Sequence, residues 1–195
     1  FLNCKSLTEL NVSNFNTDSA ENMAGVFRLC GMLRDLDVSS FNTSRVTAME
    51  TMFSTCESLT SLDLSGFDTG KVTNMYAMFS YCKKLERVDV SRFNTSNVTD
   101  MGLMFAICAK LEKLDTGSFD TGKATNMKTM FCGCSTLKKL DVSGFNTRLV
   151  TDMSNMFLGC KNLKDLDVSN FYFQKEVNTN NMFKYSGMDG IAVKK

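Results

Sequence analysis

Seven cysteines recur every 26 residues, and this regular spacing of thiols is the first feature of the sequence that could do chemistry. They are Cys4, Cys30, Cys56, Cys82, Cys108, Cys134 and Cys160. One cysteine per repeat predicts side chains that run parallel to one another, which does not favour disulfide bonds. We therefore expect buried free thiols that act as small apolar groups. The eighth cysteine, Cys132, lies outside this column (the same position in successive repeats) and is expected to be exposed and reactive.

Other groups for catalysis or metal binding are scarce. The chain has no histidine, the usual general base near neutral pH and a common metal ligand. The methionines lie at helical spacing beside Phe and Leu, which is typical of core residues. Residues 117–124 have the Gly and Lys spacing of a phosphate-binding loop, but Ala124 replaces the Ser or Thr that would hold Mg²⁺. We predict no catalytic residue, no metal ligand and no cofactor, and hence a protein that is not an enzyme.

Aspartates form the most regular charged column. They are Asp37, Asp63, Asp89, Asp115, Asp141 and Asp167, and Asn11 begins the row. Each lies between two inward positions of a predicted strand, which are apolar except at Thr116, so we expect it to face outward. Carboxylates stacked there about 4.8 Å apart repel by about 1 kcal/mol. Two interpretations stay open. Serine hydroxyls, nearby basic residues and solvent offset the repulsion, or the row binds cations or basic groups of a partner.

Overall charge excludes some classes of partner. The 195 residues contain 22 Lys and Arg against 21 Asp and Glu. Proteins that bind nucleic acid usually carry a clear basic excess, so we predict no nucleic-acid partner. No apolar run approaches the roughly 20 residues that cross a bilayer, so we predict no membrane insertion in this segment. Phe1 falls in the middle of a repeat, and we expect the chain to be part of a longer protein.

The repeat itself is marked by apolar columns at the same 26-residue step. One Phe column is Phe1, Phe27, Phe53, Phe79, Phe105, Phe131, Phe157 and Phe183. A second Phe column runs from Phe15 to Phe171, and a Leu column runs from Leu7 to Leu163. A spacing without insertions over seven units predicts one coil of a stacked solenoid per repeat.

Within one unit the apolar period changes from strand-like to helix-like. Leu36 and Val38 alternate with polar residues, which predicts a short strand. From Val46 to Leu59 apolar residues recur every three or four positions, which predicts a short helical segment that tightens toward 3₁₀ geometry. The fold class predicted is therefore an α/β repeat: a leucine-rich-repeat-like solenoid of about seven coils, each with one short parallel strand and one short helical segment.

Asn or Asp followed by Thr occupies the turn between these two segments. The column is Asn16, Asn42, Asp68, Asn94, Asp120 and Asn146. Asn and Asp share a short side-chain oxygen, so the column predicts an acceptor for a nearby backbone N–H, as in an Asx-turn or a helix N-cap. The threonines that follow, Thr43, Thr69, Thr95, Thr121 and Thr147, could form a regular array on the surface.

The unit Met-Phe-x-x-Cys-x-x-Leu-x-x-Leu-Asp-Val/Leu-Ser-x-Phe-Asn/Asp-Thr-x-x-Val-Thr-x-Met resembles the 26-residue repeat of the BspA-like leucine-rich-repeat surface proteins of bacteria. The resemblance covers residues 1 to about 171. It implies a bacterial cell-surface or lipoprotein setting, outside the cell, with roles in adhesion or host contact. The fifth unit departs from the pattern, with Thr116-Gly117 for Val-Ser and Ala124 for Val.

We predict one domain: a solenoid over residues 1–170 and a divergent capping unit of the same domain over 171–195. Tyr172, Glu176 and Ser186 are among the residues that break their columns there. Terminal units of repeat proteins commonly diverge in this way.

Three functions remain open. The first is a cell-surface recognition or adhesion module that binds a protein or glycan on the open sheet face. The second is a structural spacer in a longer surface or filament protein, and the third is a regular threonine array of the ice-binding kind. Candidate partner contacts are the outward strand positions Arg34, Asp35, Asp37, Asp63, Glu86, Arg87, Asp89, Lys113, Asp115, Lys139 and Asp141.

Overall fold

The computed structural model describes residues 1–173 and 176–190, which stack coil upon coil in parallel. Two strands form, β1 (Ser61–Asp63) and β2 (Arg87–Asp89), and they pair in parallel with Asp63 opposite Asp89. The same position in two later coils forms a parallel bridge between Lys139 and Asp165. We call the stacked segments 35–37, 61–63, 87–89, 113–115, 139–141 and 165–167 the strand row. The solenoid is confirmed, although the strand predicted for every coil is regular in only two of those described.

A second parallel ladder runs along another side of the solenoid. Its members are Asn22, Ala48, Asn74, Asp100, Asn126, Asp152 and Asn178, each bridged to the next. Each rung is 26 residues from its neighbour, so both ladders keep the register that the repeat length imposes. This ladder lies in the part of the unit where the sequence predicted a helix.

The prediction of a helical segment in each coil is wrong. Over residues 1–173 and 176–190 the chain forms no helix, and therefore none that could cross a membrane. Between Val46 and Leu59 the backbone instead forms successive tight turns, in which the N–H groups of Met52 and Cys56 donate to carbonyls three residues earlier. Thr51 and Thr55 have positive φ angles of 54° and 63°, which a helix does not allow.

The alternate N–H groups of this segment explain why it is not helical. Those of Met49, Thr51, Phe53 and Thr55 donate to carbonyls of the next coil at 2.7–3.1 Å. A helix would direct every N–H along its own axis. Turns with positive φ at Thr51 and Thr55 leave every second N–H free to join one coil to the next, and the apolar side chains still point inward.

The interior is a set of stacked side-chain columns. Consecutive rings from Phe27 to Phe157 are nearly parallel, with centroids 5.3–5.8 Å apart, and all six are fully buried. Beside them the thiols of the cysteine column donate to Phe carbonyls of the preceding coil at 3.0–3.2 Å, as Cys82 does to Phe53. All eight cysteines are free thiols.

Asx-turns form up to three corners of a coil. The Asn42 column and the Asp63 column accept the N–H of the residue two positions on, as the sequence predicted for the first. A third corner at the Asn74 column does the same and was not predicted. A surface array formed by Thr43, Thr69, Thr95, Thr121 and Thr147 is contradicted, because these side chains are at most 2% exposed.

Candidate functional site

The eleven candidate contact residues lie together on the outer face of the strand row and its leading edge. All of them are exposed: Arg34, Asp35, Asp37, Asp63, Glu86, Arg87, Asp89, Lys113, Asp115, Lys139 and Asp141. Alternation places them there, because inward residues such as Leu62 and Val88 between them are buried. The solenoid therefore joins side chains more than 100 residues apart in sequence into one charged surface.

Local hydrogen bonds hold the aspartates of this face. The side-chain oxygens of Asp37, Asp63, Asp89, Asp115, Asp141 and Asp167 each accept the backbone N–H two residues on at 2.8–3.0 Å. At Asp89 the hydroxyl of Ser91 also donates, at 2.7 Å. Asn11 makes the same bond at 3.0 Å, so the turn needs an oxygen acceptor and not a negative charge.

The pKa of most of these carboxyl groups lies below its usual value. For Asp37, Asp89, Asp141 and Asp167 the cause is the hydroxyl and then the N–H of the serine two residues on, and for Asp63 the N–H of Ser65 comes first. Repulsion from Asp63 acts in the opposite direction at Asp89 but is smaller. The local bonds therefore outweigh the repulsion between stacked carboxylates, as the first of the two interpretations requires.

Grooves open where neighbouring segments of the strand row are not paired. One, of about 430 Å³, lies between Glu86–Arg87 and Glu112–Lys113 and includes Lys110. A second, of about 530 Å³, adjoins it and lies between residues 112–115 and 138–141. A third, of about 270 Å³, separates residues 35–38 from Ser61 and Asp63. Nine of the eleven candidate residues line these grooves.

The unpaired segments beside the two larger grooves lie on either side of the fifth coil, where the sequence departs from the repeat. Thr116 replaces the Val or Leu of the other units, and its hydroxyl donates to the carbonyl of Asp141 in the next coil. No backbone pairing of residues 113–115 with either neighbouring coil occurs within the described chain. The departure that the sequence showed thus coincides with the two larger grooves.

Sequence reasoning missed two lysines of this surface. Lys110 lines the first groove and Lys138 the second, although neither belongs to the predicted set. Both lie within two residues of Leu111 or Leu137, on the approach to the strand, where apolar alternation has not yet begun. The signal that could have found them is the high frequency of lysine around these leucines in the later coils.

The cysteines offer no reactive centre on this face. Burial raises the pKa of the Cys56 and Cys160 thiols to about 12 and that of Cys82 well above its usual value. Cys132 is only partly buried, but burial raises the pKa of its thiol too. In residues 1–173 and 176–190, no three His, Cys, Asp or Glu side chains come together as metal ligands.

Comparison with protein families gives one clear match. The family described as "Mycoplasma protein of unknown function, DUF285" matches residues 1–113 and 82–189, which together span nearly the whole chain. The match confirms the resemblance to bacterial repeat proteins and is consistent with repeats of the BspA-like kind. No curated protein matches the sequence.

Two solved structures are similar to this chain. A leucine-rich repeat protein from Eubacterium ventriosum ATCC 27560 is 14% identical, with a TM-score of 0.49 over 87% of this chain. This chain spans 57% of the length of that structure. A leucine rich cell surface protein from Faecalibacterium prausnitzii A2-165 is 17% identical, with a TM-score of 0.23 over 95% of this chain and 74% of that one.

Proposed function

We propose that this chain, which belongs to the DUF285 family, is a non-enzymatic recognition module that binds a protein or glycan through the outer face of its strand row. One observation carries the proposal. Nine of the eleven outward residues line grooves of about 270–530 Å³ on that face. Solenoid proteins use the extended surfaces that their stacked repeats create for binding.

The variety of side chains on this face favours recognition over a structural spacer. The position after the Leu column reads Arg34, Thr60, Glu86, Glu112, Lys138 and Lys164. Over the same coils the Phe and Leu columns of the core do not change. A spacer needs only the core, so variation in charge and size at an exposed position is the pattern of a surface adapted to a partner.

The position of this protein at a bacterial cell surface, in an adhesive role, is part of the proposal. It rests on the resemblance of the 26-residue unit to the BspA-like repeat. A non-enzymatic role is supported by the groove linings, which are mainly Lys, Arg, Asp and Glu side chains. A hydroxyl or thiol nucleophile beside a base, the arrangement that covalent catalysis requires, is not among the residues lining the two larger grooves.

Binding of the immobilised chain to a panel of glycans and extracellular-matrix proteins tests the proposal. The quadruple variant Glu86→Ser, Arg87→Ser, Lys113→Ser and Lys139→Ser should lose binding of whichever probe the natural chain retains. A matched control replaces Glu21, Arg45, Lys71 and Lys123, an equally charged and exposed set outside the strand row, with serine. Binding that survives the first variant and not the second would place the site elsewhere, and no binding to any probe would favour the spacer.

A further inference from the structure

The four later coils carry a concentrated positive charge beside the strand row. From the residue after the cysteine to the first residue of the strand row, there are nine basic side chains against three acidic ones. These ranges are residues 83–87, 109–113, 135–139 and 161–165. The nine are Lys83, Lys84, Arg87, Lys110, Lys113, Lys138, Lys139, Lys161 and Lys164. In the three earlier coils the same positions hold two basic and three acidic side chains. We call the nine residues the basic edge.

We infer that the basic edge binds a linear polyanionic glycan, one that carries sulfate or carboxylate groups, lying along the solenoid axis. The inference deepens the proposed function and rests on it, because it names the class of ligand for the same face. The charges of the basic edge are accessible to a ligand. All nine side chains are exposed, and only Lys83 and Lys138 form ion pairs within the described chain, with Glu57 at 2.9 Å and Glu112 at 3.5 Å.

The geometry of the edge fits an extended ligand. Coils stacked about 4.8 Å apart place the four sets of cations along a line of about 14 Å. The two larger grooves adjoin at Glu112 and Lys113 and open beside this line. Asp89, Asp115 and Asp141 border the opposite side of the strand row and repel an anion there. An anionic glycan chain is therefore attracted to the basic edge and repelled by the aspartate side of the strand row.

The composition of the edge favours a glycan over a protein partner. Eight of the nine cations are Lys, whereas the centres of protein interfaces are enriched in Arg and aromatic residues and depleted in Lys. Among the described residues, Tyr81 is the exposed large aromatic side chain nearest in sequence to the basic edge, and it is 45% exposed. Sites for single-stranded nucleic acid stack the bases on several aromatic residues, and segments that lie on a membrane insert several apolar side chains into it. One exposed ring therefore favours neither of these two partners.

Binding to a sulfated glycan tests the inference directly. Heparin would be titrated with the full chain by isothermal calorimetry over a series of NaCl concentrations, with neutral dextran as the negative probe. We expect heparin to bind, with an association constant whose logarithm falls linearly with the logarithm of the salt concentration. The triple variant Lys110→Gln, Lys113→Gln and Lys139→Gln should lower the affinity about tenfold or more and reduce the salt slope. The control triple Lys71→Gln, Lys123→Gln and Lys128→Gln removes the same charge elsewhere and should change affinity less than about twofold.

Several outcomes would overturn the inference. An equal loss of affinity in the two triple variants would show that only net charge matters. Equal affinity at the same salt for duplex DNA or for phosphatidylserine vesicles would show attraction to any polyanion or a membrane partner. A panel protein or neutral glycan that binds while heparin does not would remove the inference and leave the proposed function standing. Failure of every probe would remove both.

Discussion

The hydroxyl of Thr69 makes two hydrogen bonds with the backbone of Asn94, a residue of the next coil. It accepts the N–H of Asn94 at 2.8 Å and donates to the carbonyl of the same residue at 3.0 Å. Thr43 does the same with Asp68, and Thr121 with Asn146. These buried threonines join adjacent coils at a corner where the described residues form no backbone ladder, so their hydroxyls take the place of a backbone pair.

Replacing Thr69 with Val should therefore destabilise the protein by about 1–3 kcal/mol, because the change keeps the shape of the side chain and removes two hydrogen bonds to the backbone of Asn94. Urea denaturation followed by circular dichroism measures the loss. Thr73→Val is the matched control, since Thr73 is exposed and its hydroxyl makes one bond, to the Thr47 carbonyl at 3.3 Å. Equal losses in the two variants would contradict the role given to the buried hydroxyls.

Truncation of a central phenylalanine should cost more than truncation of the last one. Phe79 stacks on Phe53 at 5.6 Å and on Phe105 at 5.3 Å, so Phe79→Ala should cost about 3–5 kcal/mol. Phe183 stacks on Phe157 alone within the described chain, and Phe183→Ala should cost less. Denaturant midpoints with unchanged m-values provide the comparison. Similar losses at the two positions would argue against a capping role for the unit that follows residue 170.

Thiol reactivity should follow burial. The two partly buried cysteines, Cys4 and Cys132, should react with a thiol reagent in the native state, and the six buried ones only after unfolding. Because burial raises the pKa of Cys132, its thiolate fraction near pH 8 is small, and its reaction should be slower than that of a free cysteine and should accelerate as the pH rises. Mass spectrometry after pulsed alkylation identifies the labelled sites. Early labelling of Cys82 or Cys108 would show that the core opens.

Asp89→Asn should lower the stability near neutral pH slightly, and by the same amount with and without calcium. The amide oxygen can still accept the N–H of Ser91, but the negative charge that strengthens the bonds to Ser91 is lost, and those bonds outweigh the repulsion from Asp63. Thermal melts in calcium and in EDTA measure both effects. If the row holds cations, calcium should raise the melting temperature, and Asp89→Asn with Asp115→Asn should abolish that difference.

Acid should destabilise the protein through the same row. The pKa of Asp37, Asp89, Asp141 and Asp167 is lower in the folded state, with the bonds to the following serine as the cause. Their contribution to stability is therefore complete above the unfolded pKa of about 3.9 and is lost as the pH falls through the folded pKa. Urea midpoints measured from about pH 6 to pH 2 should fall below about pH 4. The variant Asp89→Asn with Asp141→Asn should show a smaller fall, and an unchanged profile would contradict the assignment.

Much of the fold could be predicted because repetition turns single residues into columns. Phe79, Cys82 and Leu85 are all buried as their columns required. The helix could not be separated from a series of turns by apolar spacing alone, because both place an inward residue at every third or fourth position. The sequence signal that separates the two is glycine at positions where the backbone φ angle is positive. Two columns contain Gly25, Gly133 and Gly159 in some units, and the corresponding residues have positive φ throughout.

The candidate surface was predicted in its location but not in its shape. Strand alternation was enough to place Arg87 and Lys113 outside, because the side-chain period of a strand is two. The grooves between them depend on which coils pair, and the backbone hydrogen bonds that decide this are not encoded in any single side chain. The departure of Thr116 from the repeat marked the coil beside which the two larger grooves open. The sequence alone did not show that backbone pairing is lost there.

The uniform 26-residue register of the two ladders has a consequence for the gene. Each coil offers its neighbour the same donors and acceptors, so a recombination event that adds or removes a whole multiple of 26 codons preserves every rung. An insertion of any other length would place apolar columns against polar ones from that point onward. Duplication and loss of complete repeats are therefore mutations that this architecture tolerates, and related alleles can differ in the length of the protein while keeping the same cross-section.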